Sequence, residues 1–227
     1  MELIKKIYRK LFPKYSIYSY SQEGEDLILN RYFDSKKFGF YLDIGAHHPK
    51  RFSNTYLFYK KGWKGVNIDA MPGSMKPFKT IRPRDINIEQ AISSRAEELT
   101  FYIYKEKALN TFSKDLVDYR TYLNPDLLFD RKIKIFTKRL DYLLNDINSG
   151  NLVIDFMSID VEGYDMEVLQ SNNWERYIPR LILIEILATT LDQIKSHPIT
   201  IFLQNQNYHI YAKCINTVIY RHDSEYQ

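Results

Sequence analysis

The chain has 227 residues, a length that suits one domain because single hydrophobic cores stop growing beyond about 250–300 residues. Its 44% hydrophobic and 26% charged residues exclude the signature of disorder, and a formal charge of +4 without a concentrated basic stripe beyond the first residues argues against a nucleic-acid partner. The single cysteine, Cys214, excludes an internal disulfide, and no apolar run approaches the ~20 residues of a transmembrane helix. With no signal-peptide pattern at the start, a cytoplasmic location is expected.

Residues 1–15 place Leu3, Ile4, Ile7, Tyr8, Leu11 and Phe12 at helical spacing with Lys5, Lys6, Arg9 and Lys10 between them, which predicts a basic amphipathic helix ended by Pro13. Such a helix suits peripheral contact with an anionic membrane through residues 1–14, or docking on its own domain or on a second copy in a homo-oligomer. A helix follows over 21–33, with Ser21 as candidate cap and an acidic first turn. Phe40 to Ile44 reads as a strand broken by Gly45, Asn54 to Lys61 as a helix stopped by Gly62, and Lys64 to Ile68 as a second strand. A helical stretch over 75–80 and a third strand over 86–92 complete a βαβ alternation, the pattern of a mostly parallel sheet. Residues 98–104 read as a strand. The polar segment 105–132 has weak periodicity and reads as an insertion of the kind that carries substrate specificity. Strands over 133–137, 152–159 and 181–186, helices over 140–144, 165–170 and 191–204, and closing strands over 208–213 and 217–221 finish a single domain spanning 16–227.

In an open parallel sheet, ligands bind beyond the carboxyl ends of the strands where strand order reverses. The first strand leads into Asp43-Ile44-Gly45-Ala46-His47-His48, where Gly45 and Ala46 put little side chain in the way of a ligand. Asp69 ends the second strand 24 positions beyond Gly45, the spacing at which an acid takes a ribose diol. The run after Gly45 is not GxGxxG, so a pyrophosphate would lack its glycine cradle. A ligand with a ribose but no pyrophosphate fits better, and S-adenosylmethionine is one; Asp43 and backbone amides can meet its carboxylate and amino group. Either acid also suits helix capping.

Together, Ser21-Gln22-Glu23-Gly24-Glu25-Asp26, the runs 39–49, 53–55 and 62–75, and Ile159-Asp160-Val161-Glu162-Gly163-Tyr164-Asp165 make the chain resemble the FkbM methyltransferases over residues 21–185. The resemblance implies a Rossmann-like class I methyltransferase fold, a doubly wound α/β domain with a seven-stranded sheet of six parallel strands and one antiparallel. It implies S-adenosylmethionine as cofactor and O-methylation of a sugar hydroxyl, in a nucleotide-activated sugar or a surface glycan such as a capsule or O-antigen. Carried over, Asp43, Gly45 and Ala46 would hold the methionine end, Asp69 the ribose and Gln90 the adenine, with Gln22 and Asp160 also on the cofactor. Asn54 would order the first loop or cap the next helix.

Asp160 and Glu162 are the sharpest catalytic candidates, since a carboxylate beside an in-line acceptor oxygen can take its proton. An acid after a strand also serves as a helix cap, the plain alternative for Glu162. His47, with an ordinary imidazole pKa near 6.5, is a third candidate base. Asp160, Glu162 and Glu185, with His47 or His48, are candidate Mg²⁺ or Mn²⁺ ligands. Tyr102, Tyr104, Tyr119 and Tyr122 are candidate sugar contacts, and Arg120 and Arg131 candidate phosphate contacts. The rival functions are methyl transfer to a nitrogen or to a lipid or secondary-metabolite hydroxyl, a nucleotide-sugar-binding or oxidoreductase domain, and a noncatalytic scaffold.

Overall fold

The computed structural model describes residues 15–147, 152–188 and 190–226. The amphipathic helix expected over 1–15 lies outside them, apart from Tyr15. Helix α1 (Glu25–Tyr32) starts four residues later than expected because Gly24, at φ 88°, bends the chain ahead of it. Strand β1 (Phe40–Ile44), helix α2 (Tyr56–Lys60), strand β2 (Lys64–Asp69) and helix α3 (Met75–Ile81) follow the predicted alternation.

The third predicted strand divides at Gln90. Strand β3 (Ile86–Glu89) stays in the main sheet, while β4 (Ala91–Ile92) joins β5 (Glu98–Ile103) and β6 (Arg131–Lys138) in a three-stranded sheet of order β4-β6-β5. Helix α4 (Lys114–Leu123) lies inside the insertion; Ser113 begins it by accepting the Leu116 N–H at 3.1 Å.

Helix α5 (Leu140–Ile147) precedes β7 (Phe156–Ile159), which is four residues shorter at its start than expected. There Asp155 turns its carboxylate to the Phe40 N–H at 2.9 Å and to Lys36, so residues 152–155 are not strand. Helix α6 (Asp165–Gln170) and strand β8 (Leu181–Glu185) match expectation. The long helix expected over 191–204 is two, α7 (Leu191–Lys195) and α8 (Pro198–Gln204). Pro198 lacks an N–H and holds His197 extended, and the His197 ring caps the second helix. Strands β9 (Tyr208–Lys213) and β10 (Thr217–His222) close the chain.

The main sheet has seven strands in the order β3-β2-β1-β7-β8-β10-β9. β10 runs antiparallel to both its neighbours and the remaining pairs are parallel, a Rossmann-like arrangement. Alternate strand residues feed two apolar clusters on opposite faces. Tyr41, Phe156, Leu181, Leu183 and Ile219 pack with Leu29, Phe58 and Trp63, whereas Leu42, Ile68, Met157, Ile159 and Ile184 pack with Leu144, Leu169, Ile194 and Leu203 from the later helices. Strand order reverses between β1 and β7, so the carboxyl ends of β2, β1, β7 and β8 share one edge.

Candidate functional site

Beyond that edge lies a cleft of about 640 Å³, within the size range of small-molecule sites. Its lining includes Gln22, Asp43, Gly45, Ala46, His47, Asp69, Gln90, Asp160, Glu162 and Glu185, so the sequence-derived candidates converge on one cavity. Gly45 takes φ 82°, and a Cβ there would stand 1.8 Å from the Asp160 carbonyl oxygen. The glycine is therefore required by the crossing of the β1 and β7 ends, before any ligand is considered. Gly45 and Ala46 both donate to the Ile68 carbonyl, at 2.9 and 3.0 Å, and Asp160 N donates to Ile44 O at 3.0 Å.

Asp69 ties two loops together. Its Oδ2 accepts the His47 N–H at 2.9 Å and its Oδ1 the Met71 N–H at 2.8 Å. Burial lifts its pKa above the ordinary carboxylate value, and these backbone donors oppose the rise.

Asp43 faces the cleft but is also anchored behind it, where its Oδ2 accepts the Thr55 hydroxyl at 2.5 Å. Thr55 in turn accepts from fully buried Arg82 at 3.0 Å, and Arg82 donates to Asp85 at 2.8 Å and to Tyr41 Oη at 2.9 Å. Asp85 also accepts from Asn67 Nδ2 at 3.0 Å and from the Gly65 N–H at 3.1 Å. Burial raises the Asp43 pKa and the Arg82 charge opposes it. Sequence reading passed over Arg82 and Asp85, whose only signal is an ordinary i,i+3 charge pair beside a turn.

Asp160, Glu162 and Glu185 come together with ligand oxygens all within 4.8 Å of one another. Asp160 is exposed along its cleft face, yet the walls crowd it so closely that its carboxyl is poorly hydrated. That crowding, with repulsion from Glu162 and Glu185, holds its pKa well above the usual range. Its carboxylate accepts no hydrogen bond from the described residues. Glu185 is similar, pushed up to about 7 by burial and then by Glu162 and Asp165.

Glu162 differs, because Arg120 of α4 pairs with its carboxylate while donating to Leu109 O at 2.7 Å. Thr111 Oγ1 also donates to the Glu162 carbonyl at 2.7 Å. Glu162 thus clamps the insertion over the cleft and does not cap α6, whose start has no side-chain cap bond, while Asp165 accepts the nearby Val161 N at 3.2 Å and Gly163 N at 3.1 Å. His47 and Glu162 both take positive φ, 49° and 54°, a conformation that costs about 1–3 kcal/mol in a non-glycine residue and concentrates at functional sites.

His47 stands on the Asp69 side of the cleft, with Asp69, Arg51, Glu106 and His48 as the charged groups that act on it most; burial lowers its pKa. Gln90 gives its side-chain N–H groups to Phe136 O at 2.8 Å and Ala91 O at 3.2 Å, fixing the wall after β3. The Ser21–Asp26 motif is a strap: Asp26 accepts from Tyr20 N at 2.8 Å and Ser19 Oγ at 2.7 Å, Glu23 accepts from Asn216 N at 2.7 Å, and Glu25 from Thr217 Oγ1 at 2.9 Å. Gln22 is the member that reaches the cleft.

The tyrosines picked from the sequence do not line the cleft. Tyr104 is buried behind it and Tyr119 and Tyr122 face solvent, while Phe52, Phe101, Phe112 and Tyr164 supply its aromatic wall. Arg131 is absent from the lining, and Arg120, which is present, is occupied by Glu162.

A family model, the methyltransferase FkbM domain, matches residues 43–210, most of the chain. The chain belongs to the FkbM methyltransferase family. Among curated proteins no relative matches it. The matched span starts at Asp43 and contains Asp69, Asp160, Glu162 and Glu185, so the FkbM domain carries the whole carboxylate edge just described. S-adenosylmethionine is the usual cofactor of such an enzyme, and the residues present fit a polar ligand of that kind. His47 Nε2 and Asn54 Oδ1 are buried atoms of cleft-lining residues without a hydrogen-bond partner among the described residues, and Asp69 lines the cleft at the end of β2. The oxygen donors of Asp160 and Glu185 also suit a hard divalent cation, although Arg120 already neutralises Glu162. No helix among the described residues is long and apolar enough to cross a membrane.

Proposed function

We propose that this FkbM methyltransferase uses S-adenosylmethionine to methylate a sugar hydroxyl, on a nucleotide-activated sugar or a surface glycan, with Asp160 as the proton acceptor. One observation carries the catalytic part: Asp160 offers a carboxylate with no donor among the described residues, at the end of β7, facing the cleft where the strand order reverses. The two apolar clusters flanking the sheet support a doubly wound class I fold. We take residues 16–227 as one working unit and 105–132 as its specificity segment.

The bound cofactor supplies an electrophilic methyl on sulfur. The chain supplies position and a base. The loop after β1 and Asp69 hold the nucleoside at the β2 side, and Gln90 stands at the β3 end where an adenine would lie. Asp160, at the end of β7, would take the proton of an acceptor hydroxyl to which the cofactor, when bound, would supply the methyl group. An acid with a raised pKa is a better match for that proton than an ordinary carboxylate. Phe52 and Tyr164 give flat apolar surfaces, and Gln22 and Asn110 polar edges, in keeping with a sugar.

Incubation with methyl-labelled cofactor and a panel of nucleotide sugars and glycans is expected to label a sugar. Transfer confined to an amine, a lipid hydroxyl or a peptide would overturn the acceptor and leave the enzyme class. A divalent ion at Asp160 and Glu185 would show as activity lost on chelation and restored by Mg²⁺ or Mn²⁺.

A further inference from the structure

Among the described residues, Asn54 Oδ1 is the one buried amide oxygen without a donor that belongs to a residue lining the cleft. Asn54 sits in the loop between β1 and α2, and its Nδ2 donates to Ser158 Oγ at 3.0 Å. Ser158 is itself buried in β7, two residues before Asp160, so the Asn54 amide is held in one orientation across the β1–β7 junction. Its Oδ1 is buried, has no partner among the described residues, and belongs to a residue lining both the main cleft and a smaller cavity of about 30 Å³ beside it. An amide oxygen stripped of water and left unpaired costs about 1–3 kcal/mol, so a donor is expected to meet it in the working state. Helix capping does not explain Asn54, because Ser53 Oγ accepts the Tyr56 N–H at 3.1 Å and does that work.

We propose that Asn54 Oδ1 receives the α-ammonium of the methionine arm of the cofactor, making Asn54 the residue that recognises the amino-acid end of that ligand. This rests on the cofactor proposed above. The surroundings select a cation. Asp160, Glu185, Glu23 and Glu25 line the smaller cavity with Asn54, and among the described residues no lysine or arginine does. The order of strands sets the span, since Asp69 ends β2 and Asn54 is anchored on β7, two strand spacings away, about 10 Å. The aminocarboxypropyl arm of the cofactor, measured from its ribose, covers that gap. Asp43, the residue expected at this end from the sequence, is already engaged by Thr55 and screened by Arg82.

Calorimetric titration of S-adenosylhomocysteine and of 5′-methylthioadenosine, which keeps the nucleoside and thioether but lacks the amino-acid arm, separates the possibilities. Wild-type protein is expected to bind both. Asn54→Ala should weaken S-adenosylhomocysteine by about tenfold to a hundredfold, the worth of a hydrogen bond to a charged group, and leave 5′-methylthioadenosine unchanged. Asn54→Asp, which keeps the acceptor and can take a hydrogen bond from Ser158, should bind S-adenosylhomocysteine at least as well as wild type. Equal weakening of both ligands by Asn54→Ala, no weakening of either, or a loss in Asn54→Asp as deep as in Asn54→Ala would each overturn the assignment. If wild-type protein binds neither ligand, the cofactor reading itself fails and the assignment falls with it.

Discussion

Asp160 and Glu162 are separated by a single residue, and the structure divides their work. Asp160 presents to the cleft a carboxylate without a partner among the described residues, whereas Glu162 is held by Arg120. Asp160→Asn is therefore expected to lower kcat by about 10²–10⁴-fold, the range for a lost general base, with an unchanged fold by circular dichroism. Glu162→Gln should lower kcat by less than about tenfold and act mainly through KM, because it loosens the insertion without removing the base. Steady-state kinetics on the pair decides between them, and the reverse ranking would transfer the role to Glu162. Behind the site, Arg82 is fully buried against Asp85, Tyr41 and Thr55. Arg82→Ala strands a buried carboxylate, which costs about 3–5 kcal/mol. At about 2–4 °C per kcal/mol for a chain of this size, the melting temperature should fall by roughly 10 °C. A loss under about 3 °C would mean that Asp85 finds water or another donor.

Among the elements, the insertion is placed over the cleft from two sides, with Glu106 paired to Arg51 of the loop after β1 and Phe112 packed on Tyr164. Arg120 joins it to the β7 loop through Glu162, Thr111 adds one hydrogen bond, and Leu116 lies over Gly163 at a distance of 3.3 Å from where a Cβ would stand. Removing the guanidinium in Arg120→Ala should cost about 1–2 kcal/mol locally and speed opening of the segment about 5–30-fold. Limited trypsin digestion is expected to cut within 105–131 faster than in wild type, and a wild-type cleavage pattern would show that the remaining contacts suffice. That insertion also marks where sequence reading stops. Strands β1, β2, β7 and β8 are legible because short apolar runs end at an acid or a glycine, a pattern set by burial within a parallel sheet. Helix α4 buries only Val117 fully, so its apolar period is faint and Ser113 is its one clear local signal. The break of the last long helix at Pro198 was readable, since proline removes an N–H and restricts the residue before it. The Arg82 network was not readable, because its partners come from positions 41, 53, 55 and 85 and meet only once β1 and β2 are paired. The carboxylate edge was half legible: the acids stood out, but which of them would be neutralised depended on an arginine 42 positions from Glu162.

For the whole molecule, the gathering of Asp160, Glu162 and Glu185 at one edge sets a pH dependence of stability. Glu185 is raised to about 7 by burial and by its acidic neighbours, against about 4.3 for a glutamate in an unfolded chain. The native state then binds the proton more tightly than the unfolded state, so the slope of stability with pH is negative between those values. The contribution is fully present below about pH 4.3 and is lost as pH rises through about 7. Glu185→Gln removes the titrating group and relieves the repulsion on Asp160. Its melting temperature should match wild type near pH 4.5 and exceed it by a few degrees at pH 8, measured on ligand-free protein across that range. A difference that stays flat with pH would place the Glu185 carboxylate in ordinary water. The same charge balance bears on ligand binding: at pH 8 the ionised cluster favours a cation, so cationic S-adenosylmethionine should regain stability that ligand-free wild type has lost, and should regain less in Glu185→Gln. Equal stabilisation of the two proteins by the cofactor would separate the electrostatics of this edge from the binding of the methyl donor.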